Sequence, residues 1–304
     1  MAAQLQLDDW QFDIDGVVVG HGTPVLVEDV QGLGTPSKRT PDAPIPGEDG
    51  VYPGRDLLAA RILRFTAGIR TPGDPAAGLD LLAALERLAD SDTRLTPGAT
   101  AVLRIKRPGQ PVRRQYGRVT SAEAVSVARS PYGWLPIELV FSGLDPVWYA
   151  DQPSGVTLSL DVSPTRQQGF TAPVRTPVTC GTSDPKSRPG WAVNQGNRRS
   201  WPTVRISGPV VSPRVWLEGI PGAVLDFPTL VLGAGEWIDI ETRPGTRTVL
   251  RNGGQGSAAT ALSRTSRLDQ FAIPPGRSEI RWDAVDSTNT ARLNVTWRDA
   301  YTSL

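Results

Sequence analysis

Histidine and cysteine are almost missing from this chain: its 304 residues contain one of each, His21 and Cys180. A histidine-rich metal site is therefore excluded, and without a cysteine cluster so is a structural zinc site. A single cysteine cannot form an internal disulfide. A Ser-His-Asp triad would have to recruit His21, yet no serine sits in a G-x-S-x-G elbow. His21 lies between Gly20 and Gly22, in an expected hairpin turn, which favours a structural role. Nothing local supports a thiol dyad of Cys180 with His21. No uninterrupted apolar run approaches the roughly 20 residues needed to span a bilayer. The opening residues have neither a basic n-region nor an apolar h-region, so no secretory signal is expected. The protein is expected to be made in the cytoplasm and to stay soluble.

Net charge of one sign is also lacking. Lysine and arginine number 32 against 31 acids, a formal charge of +1, so no global field draws the chain to nucleic acid or an anionic membrane. Local basic clusters remain: Arg104, Lys106, Arg107, Arg113 and Arg114 in one hairpin, then Arg198 and Arg199. Three readings fit the first set: edge protection, solvation, or a salt-bridging subunit interface. Gly32-Leu33-Gly34 and Gly233-Ala234-Gly235 lack the continuation of a phosphate loop and open no helix. Paired carboxylates could make a glycosidase, and Asp13 with Asp15, or Asp239 with Glu241, share a strand face. Alternating charge on a solvated face explains both pairs more simply. No cofactor is implied.

What the chain does have is 31 glycines and 28 prolines, which favour short strands and turns over long helices. Its 39% apolar content is enough to bury real cores, and its length suits about two domains. Trp10, Phe12 and Ile14 alternate with Gln11, Asp13 and Asp15, predicting a first strand that Gly16 ends. A second strand is expected over 23–30. Residues 31–54 then hold five glycines and five prolines with almost no periodicity. A structureless segment of that length suggests a functional arm, a binding loop, or a disordered surface loop. From Arg61 to Arg70, Leu63, Phe65, Ala67 and Ile69 face inward. A helix is expected over 78–90, with Pro75 in or before its first turn and Leu81, Leu82, Leu85 and Leu88 as its buried stripe. Strands follow near 100–106, 113–128 and 134–143, and a domain boundary is placed near residue 150.

The second half, 151–304, reads as seven or eight short strands punctuated by Pro-Gly and Gly-Gly pairs, the pattern of a β-sandwich. At its end, Leu293, Val295 and Trp297 point one way while Arg292, Asn294, Thr296 and Arg298 point the other. Six of the nine tryptophans lie beyond residue 190. Trp216, Trp237 and Trp282 sit inside strand patterns and are expected in the core. Trp191 and Trp201 flank a loop-like stretch and are the candidates for glycan or partner contact.

Four segments resemble the distal tail proteins of long-tailed, noncontractile bacteriophages. Gly22 to Gly34 is similar to the family's second strand and its exit, and Gly47-Glu-Asp-Gly50 to its long arm. Leu144-Asp-Pro-Val-Trp-Tyr149 resembles the close of its N-terminal domain. Phe271 to Ile280, then Ala291 to Tyr301, resembles its last C-terminal strands. Arg277-Ser278 departs from the family, which often has Asn after the Pro-Gly turn.

The resemblance implies a tail-tube-like β-sandwich or barrel over 1–150, carrying the long arm (31–54) and the helix. A galectin-like or carbohydrate-module-like sandwich over 151–304 would follow. It further implies a virion protein forming a homohexameric ring at the distal end of the tail tube. That ring would contact the tail-tube protein, the tail-tip hub and the tape-measure protein, with DNA passing its lumen without specific binding. Pro36, Arg39, Pro44, Asp49 and Tyr52 of the arm, with Arg55 just beyond it, are the candidate subunit contacts. The alternative is a carbohydrate-binding module for adhesion. An enzyme, most plausibly a glycosidase, is a third reading.

Overall fold

The computed structural model describes residues 6–91, 95, 96, 98–160 and 190–304. The chain divides into two compact units. One comprises Met1–Asp151 with Tyr301–Leu304, the other Gln152–Ala300. The expectation of a mainly β chain with a helix is borne out.

In the first unit the strands are β1 (Gln11–Ile14), β2 (Val17–Gly20), β3 (Val25–Gln31), β4 (Lys38–Arg39), β5 (Ala43–Pro44), β6 (Val51–Tyr52), β7 (Leu57–Leu58) and β8 (Arg61–Arg70). After helix α1 (Pro75–Ala89) come β9 (Ala101–Ile105), β10 (Arg113–Ala124), β11 (Trp134–Gly143) and β12 (Trp148–Ala150). The main sheet is antiparallel in the order β2-β1-β9-β10-β11-β8-β3, with β12 paired to β10. Its inward positions alternate as the sequence predicts: Leu63, Phe65, Ala67 and Ile69 are all buried. They pack with Leu103, Ile105, Leu139 and Phe141 in one core.

Helix α1 covers that core with Leu82 and Leu85. It begins at Pro75 because the Asp74 carboxylate caps it, accepting from the Ala77 amide at 3.0 Å, while proline at N1 needs no partner for a missing N–H.

Several expectations of strand ends are corrected. Trp10 is not in the first strand: it has φ of 61° and is 50% exposed, so the inward set is Phe12 and Ile14 alone. Val17–Gly20 forms an unanticipated hairpin partner for β1, turned by Asp15-Gly16. Strand β10 stops at Ala124, and the chain to Tyr132 is a loop ending in a 3₁₀ turn.

The second unit contains β13 (Ser154–Ser159), β14 (Trp191–Asn194), β15 (Thr203–Ser207), β16 (Val210–Leu217), β17 (Val224–Asp226) and β18 (Val231–Leu232). Then follow β19 (Trp237–Glu241), β20 (Thr248–Arg251), β21 (Gly256–Ser257), β22 (Gly276–Val285) and β23 (Arg292–Trp297). One sheet has six strands in the order β13-β23-β15-β19-β20-β21; the other runs β14-β22-β16-β17, with β18 beside β16. The inner faces share one core, in which Val204, Ile206, Ile240 and Leu293 of the first sheet join Val215, Ile280 and Trp282 of the second. That is a sandwich, held by removing both apolar faces from water.

Two tryptophans expected in this core are not there. Trp216 and Trp237 fall on the outward parity of β16 and β19 and are half-buried, whereas Trp282 and Trp297 are buried.

Candidate subunit-contact surface

The segment between β3 and β8 is paired rather than structureless. It folds back on itself, with Lys38 opposite Leu58 and Arg39 opposite Leu57, then Ala43 opposite Tyr52 and Pro44 opposite Val51. Between these ladders the Asp42 carboxylate accepts from the Gly54 amide at 2.8 Å, and Lys38 meets Asp56 at 3.1 Å. Prolines break the pairing into two-residue pieces because they lack a ladder donor. The strand signal was therefore too short to read as periodicity.

The arm leaves much of its apolar surface in water. Tyr52 is 59% exposed and Val51 54%, and Leu57 is exposed too. Among the sequence candidates, Arg39, Pro44, Asp49, Tyr52 and Arg55 are exposed, and Pro36 is buried at the root. Neither Arg39 nor Arg55 makes an ion pair among the described residues.

At that root sits a residue the motif reading passed over. Arg61 is 1% exposed, with no acid partner among the described residues. Its Nη1 donates to the carbonyls of Gly32 and Leu33 at 3.0 and 3.1 Å and also to that of Gly34. Its Nη2 reaches Pro146 O and Thr302 O at 3.2 and 3.3 Å, and the guanidinium lies 5.3 Å from the Trp148 ring centroid. Burial pushes its pKa down. One side chain thus ties the start of the arm to the close of β11 and to the C-terminal residues. Gly32 is required there: it has φ of +91°, and a Cβ would sit 2.0 Å from the Ile62 carbonyl. The sequence did hold a signal for Arg61, since its parity in β8 matches Leu63 and Phe65.

The two edge strands of the main sheet, β2 and β3, are consecutive in the chain and joined through the turn around Gly20–Pro24. Beside this corner a groove of about 500 Å³ is lined by apolar Phe12, Val27, Val30 and Leu33. Half-exposed Trp10 and the acidic Glu28 and Asp29 also line it, as does His21. His21 is exposed in its turn, and Cys180 lies outside the described residues.

Two of the five basic hairpin residues, Arg104 and Arg114, turn inward. Arg104 pairs with Asp13 at 2.9 Å and with Asp151 at 2.8 Å, and Arg114 with Asp151 at 2.6 Å, all four being buried. The readings of Arg104 and Arg114 as edge protection or a subunit interface, and of Asp13 as solvated, are therefore corrected. Burial pushes the Asp151 carboxyl up, but hydrogen bonds from Arg104 and Arg114 outweigh it, leaving its pKa below the usual carboxylate range.

In the second unit, Trp191 on β14 carries the Arg277 guanidinium 3.8 Å above its ring, and Trp201, before β15, has Arg247 at 5.7 Å. Trp191 is in a strand of the second sheet and Trp201 in the chain leading into β15 of the first, so strand pairing does not bring the two into one site. Asp239 and Glu241 lie outward on β19, engaged by Arg205 and Thr203 respectively. No group of three or more His, Cys, Asp or Glu among the described residues is placed to hold a metal ion.

Comparison with solved structures places this architecture. The Dit protein of phage SPP1, described as a paradigm of the hub adsorption apparatus in phages infecting Gram-positive bacteria, superposes with a TM-score of 0.58. The alignment covers 95% of this chain and 98% of that one, at 17% identity. The chain has a Dit-like fold. Chains of the phage P2 baseplate in its activated conformation, with calcium and with strontium, align with TM-scores of 0.57 and 0.55 at 12% identity. Each covers 94% of this chain and 97% of the other. No protein-family model and no curated protein matches by sequence. Identity this low transmits topology and the burial pattern, and little of the surface.

Proposed function

We propose that this chain is a structural protein of a phage tail, forming a ring that joins the distal end of the tail tube to the tail-tip hub. The observation carrying the reading is the Dit-like fold running through both units over nearly the whole chain. The near-zero net charge suits a wall past which DNA slides without being held. The chain works by shape and association, not by covalent chemistry.

A closed ring needs two different patches on each subunit. The arm is one: exposed Val51, Tyr52 and Leu57 can be buried only by another chain or by rearrangement. The groove beside β3 is the second. Its apolar lining fits the arm's Tyr52, and its acidic Glu28 and Asp29 complement Arg39 and Arg55. Six copies, with the tube, hub and tape-measure proteins as neighbours, complete the proposal.

Electron microscopy and light scattering of the purified chain, alone and mixed with its phage's other tail proteins, test it. Annular particles of six chains are expected, lost in Tyr52→Asp and in Trp10→Asp while both units stay folded. A chain that stays monomeric in every mixture overturns the reading.

A further inference from the structure

The outward face of the six-stranded sheet presents a regular polar row, apart from the arm and groove proposed above as ring contacts. In register across four strands stand Thr157 on β13, Asn294 on β23, Arg205 on β15 and Asp239 on β19. Along β19, two residues from Asp239, stands half-buried Trp237. These groups hold one another in place. Arg205 grips Asp239 through Nε at 2.6 Å and Nη2 at 2.9 Å, and the Trp237 indole N–H donates to Asp239 at 3.1 Å. Asn294 donates to Thr157 Oγ1 at 2.9 Å and accepts from Thr296 Oγ1 at 3.0 Å. Hydrogen-bonding capacity is left over. Arg205 Nη1 makes no hydrogen bond among the described residues, Asp239 Oδ1 has a further lone pair while Oδ2 already accepts twice, and Asn294 keeps a second N–H.

We propose that this face binds a neutral polysaccharide laid across the strands. Neighbouring strands lie about 4.8 Å apart, so the row offers one planar or hydroxylic polar group per strand at roughly the length of a pyranose ring. Bidentate carboxylate, amide and guanidinium groups suit the vicinal hydroxyls of a sugar, and an indole suits its C–H face. Trp237 can serve because Arg205 only flanks it, at 5.6 Å from the ring centroid, whereas Arg277 covers Trp191 at 3.8 Å.

The other classes of occupant fit less well. Arg205 and Arg292 balance Asp239 and Glu241, so the face has no net charge with which to attract a polyanion such as nucleic acid. Among the described strand residues, Leu250, half-buried, is the one large apolar side chain on this face besides Trp237, too little to anchor a protein interface. The opposite sheet differs: its outward Glu218, Arg281 and Glu279 are spent on one another.

The test uses the full chain against immobilised neutral hexasaccharides of glucose, galactose, mannose and N-acetylglucosamine, with polygalacturonate as the anionic control. Tryptophan fluorescence titration then measures affinity. Saturable binding of at least one neutral hexasaccharide is expected, strengthening from the disaccharide to the tetrasaccharide as more strands are crossed. Trp237→Ala and Asn294→Ala should each weaken it about tenfold, and Trp191→Ala should leave it unchanged. Should either variant lose its native circular dichroism, Arg205→Gln carries the same expectation. No binding of any neutral probe at millimolar concentration, binding of the anionic control alone, or binding indifferent to folded face variants overturns the proposal. None of these outcomes depends on whether a ring forms.

Discussion

Arg104 and Asp151 form a buried two-pronged pair, with Nε 3.1 and 3.2 Å from the two carboxylate oxygens and Nη2 2.8 Å from Oδ2. Arg114 shares the same carboxylate. Asp151 thus answers two buried guanidinium groups where β9, β10 and the end of the first unit meet, Asp13 sharing only Arg104.

Asp151→Asn should destabilise the first unit by about 3–5 kcal/mol, because it strands buried positive charge rather than removing a whole pair. Asp13→Asn should cost less, since Arg104 keeps Asp151. Urea unfolding followed by a first-unit probe, such as Trp148 fluorescence, would rank the two.

The pH dependence follows from the same carboxylate. Its folded pKa is depressed below the unfolded value of about 3.9. The stability it contributes is therefore complete above that unfolded value and is lost as pH falls through the folded one. Unfolding midpoints compared at neutral pH and near pH 3 should show a smaller acid loss in Asp151→Asn than in the native chain.

Arg61→Met should loosen the arm before it unfolds the sheet. Five carbonyls lose their shared donor, and the cost is expected at about 2–4 kcal/mol. Hydrogen exchange and limited proteolysis should rise first within 32–60. Arg61→Lys should rescue only part, since an ammonium has three donors and no planar fork.

Gly68→Val should be costly in the native chain and cheap where Trp134 is absent. A Cβ on Gly68 would lie 2.1 Å from the Trp134 ring, which covers that bare stretch of β8 from β11. About 1–3 kcal/mol is expected for displacing the indole. In a double-mutant cycle with Trp134→Ala, the coupling should recover most of that cost.

Local order was readable because it repeats at short range. The alternation of Leu63, Phe65, Ala67 and Ile69, and of Leu293, Val295 and Trp297, survives intact in the buried faces. The helix itself was legible from its leucine stripe, but it starts three residues before the expected 78, at Pro75, where the Asp74 carboxylate accepts from the Ala77 amide. The arm was harder. Its pairing consists of two-residue ladders between prolines, and two residues cannot establish a period of two.

Burial of polar and aromatic residues was the least legible. Asp13 has the outward parity of β1 and is nonetheless buried, because Arg104 closes over it from β9, 91 residues away. Trp237 looks like core by type, yet one step of parity turns it to the outer face, where it is half-buried.

By itself, then, the order of residues determined the β class, the helix, the inward faces and the scarcity of catalytic groups, since composition and nearest neighbours suffice for these. Only the tertiary structure decided which acid answers which arginine, that five carbonyls converge on Arg61, and that Thr157, Asn294, Arg205 and Asp239 stand in one row. Each depends on strand register between distant segments, and register is set by how whole faces pack together.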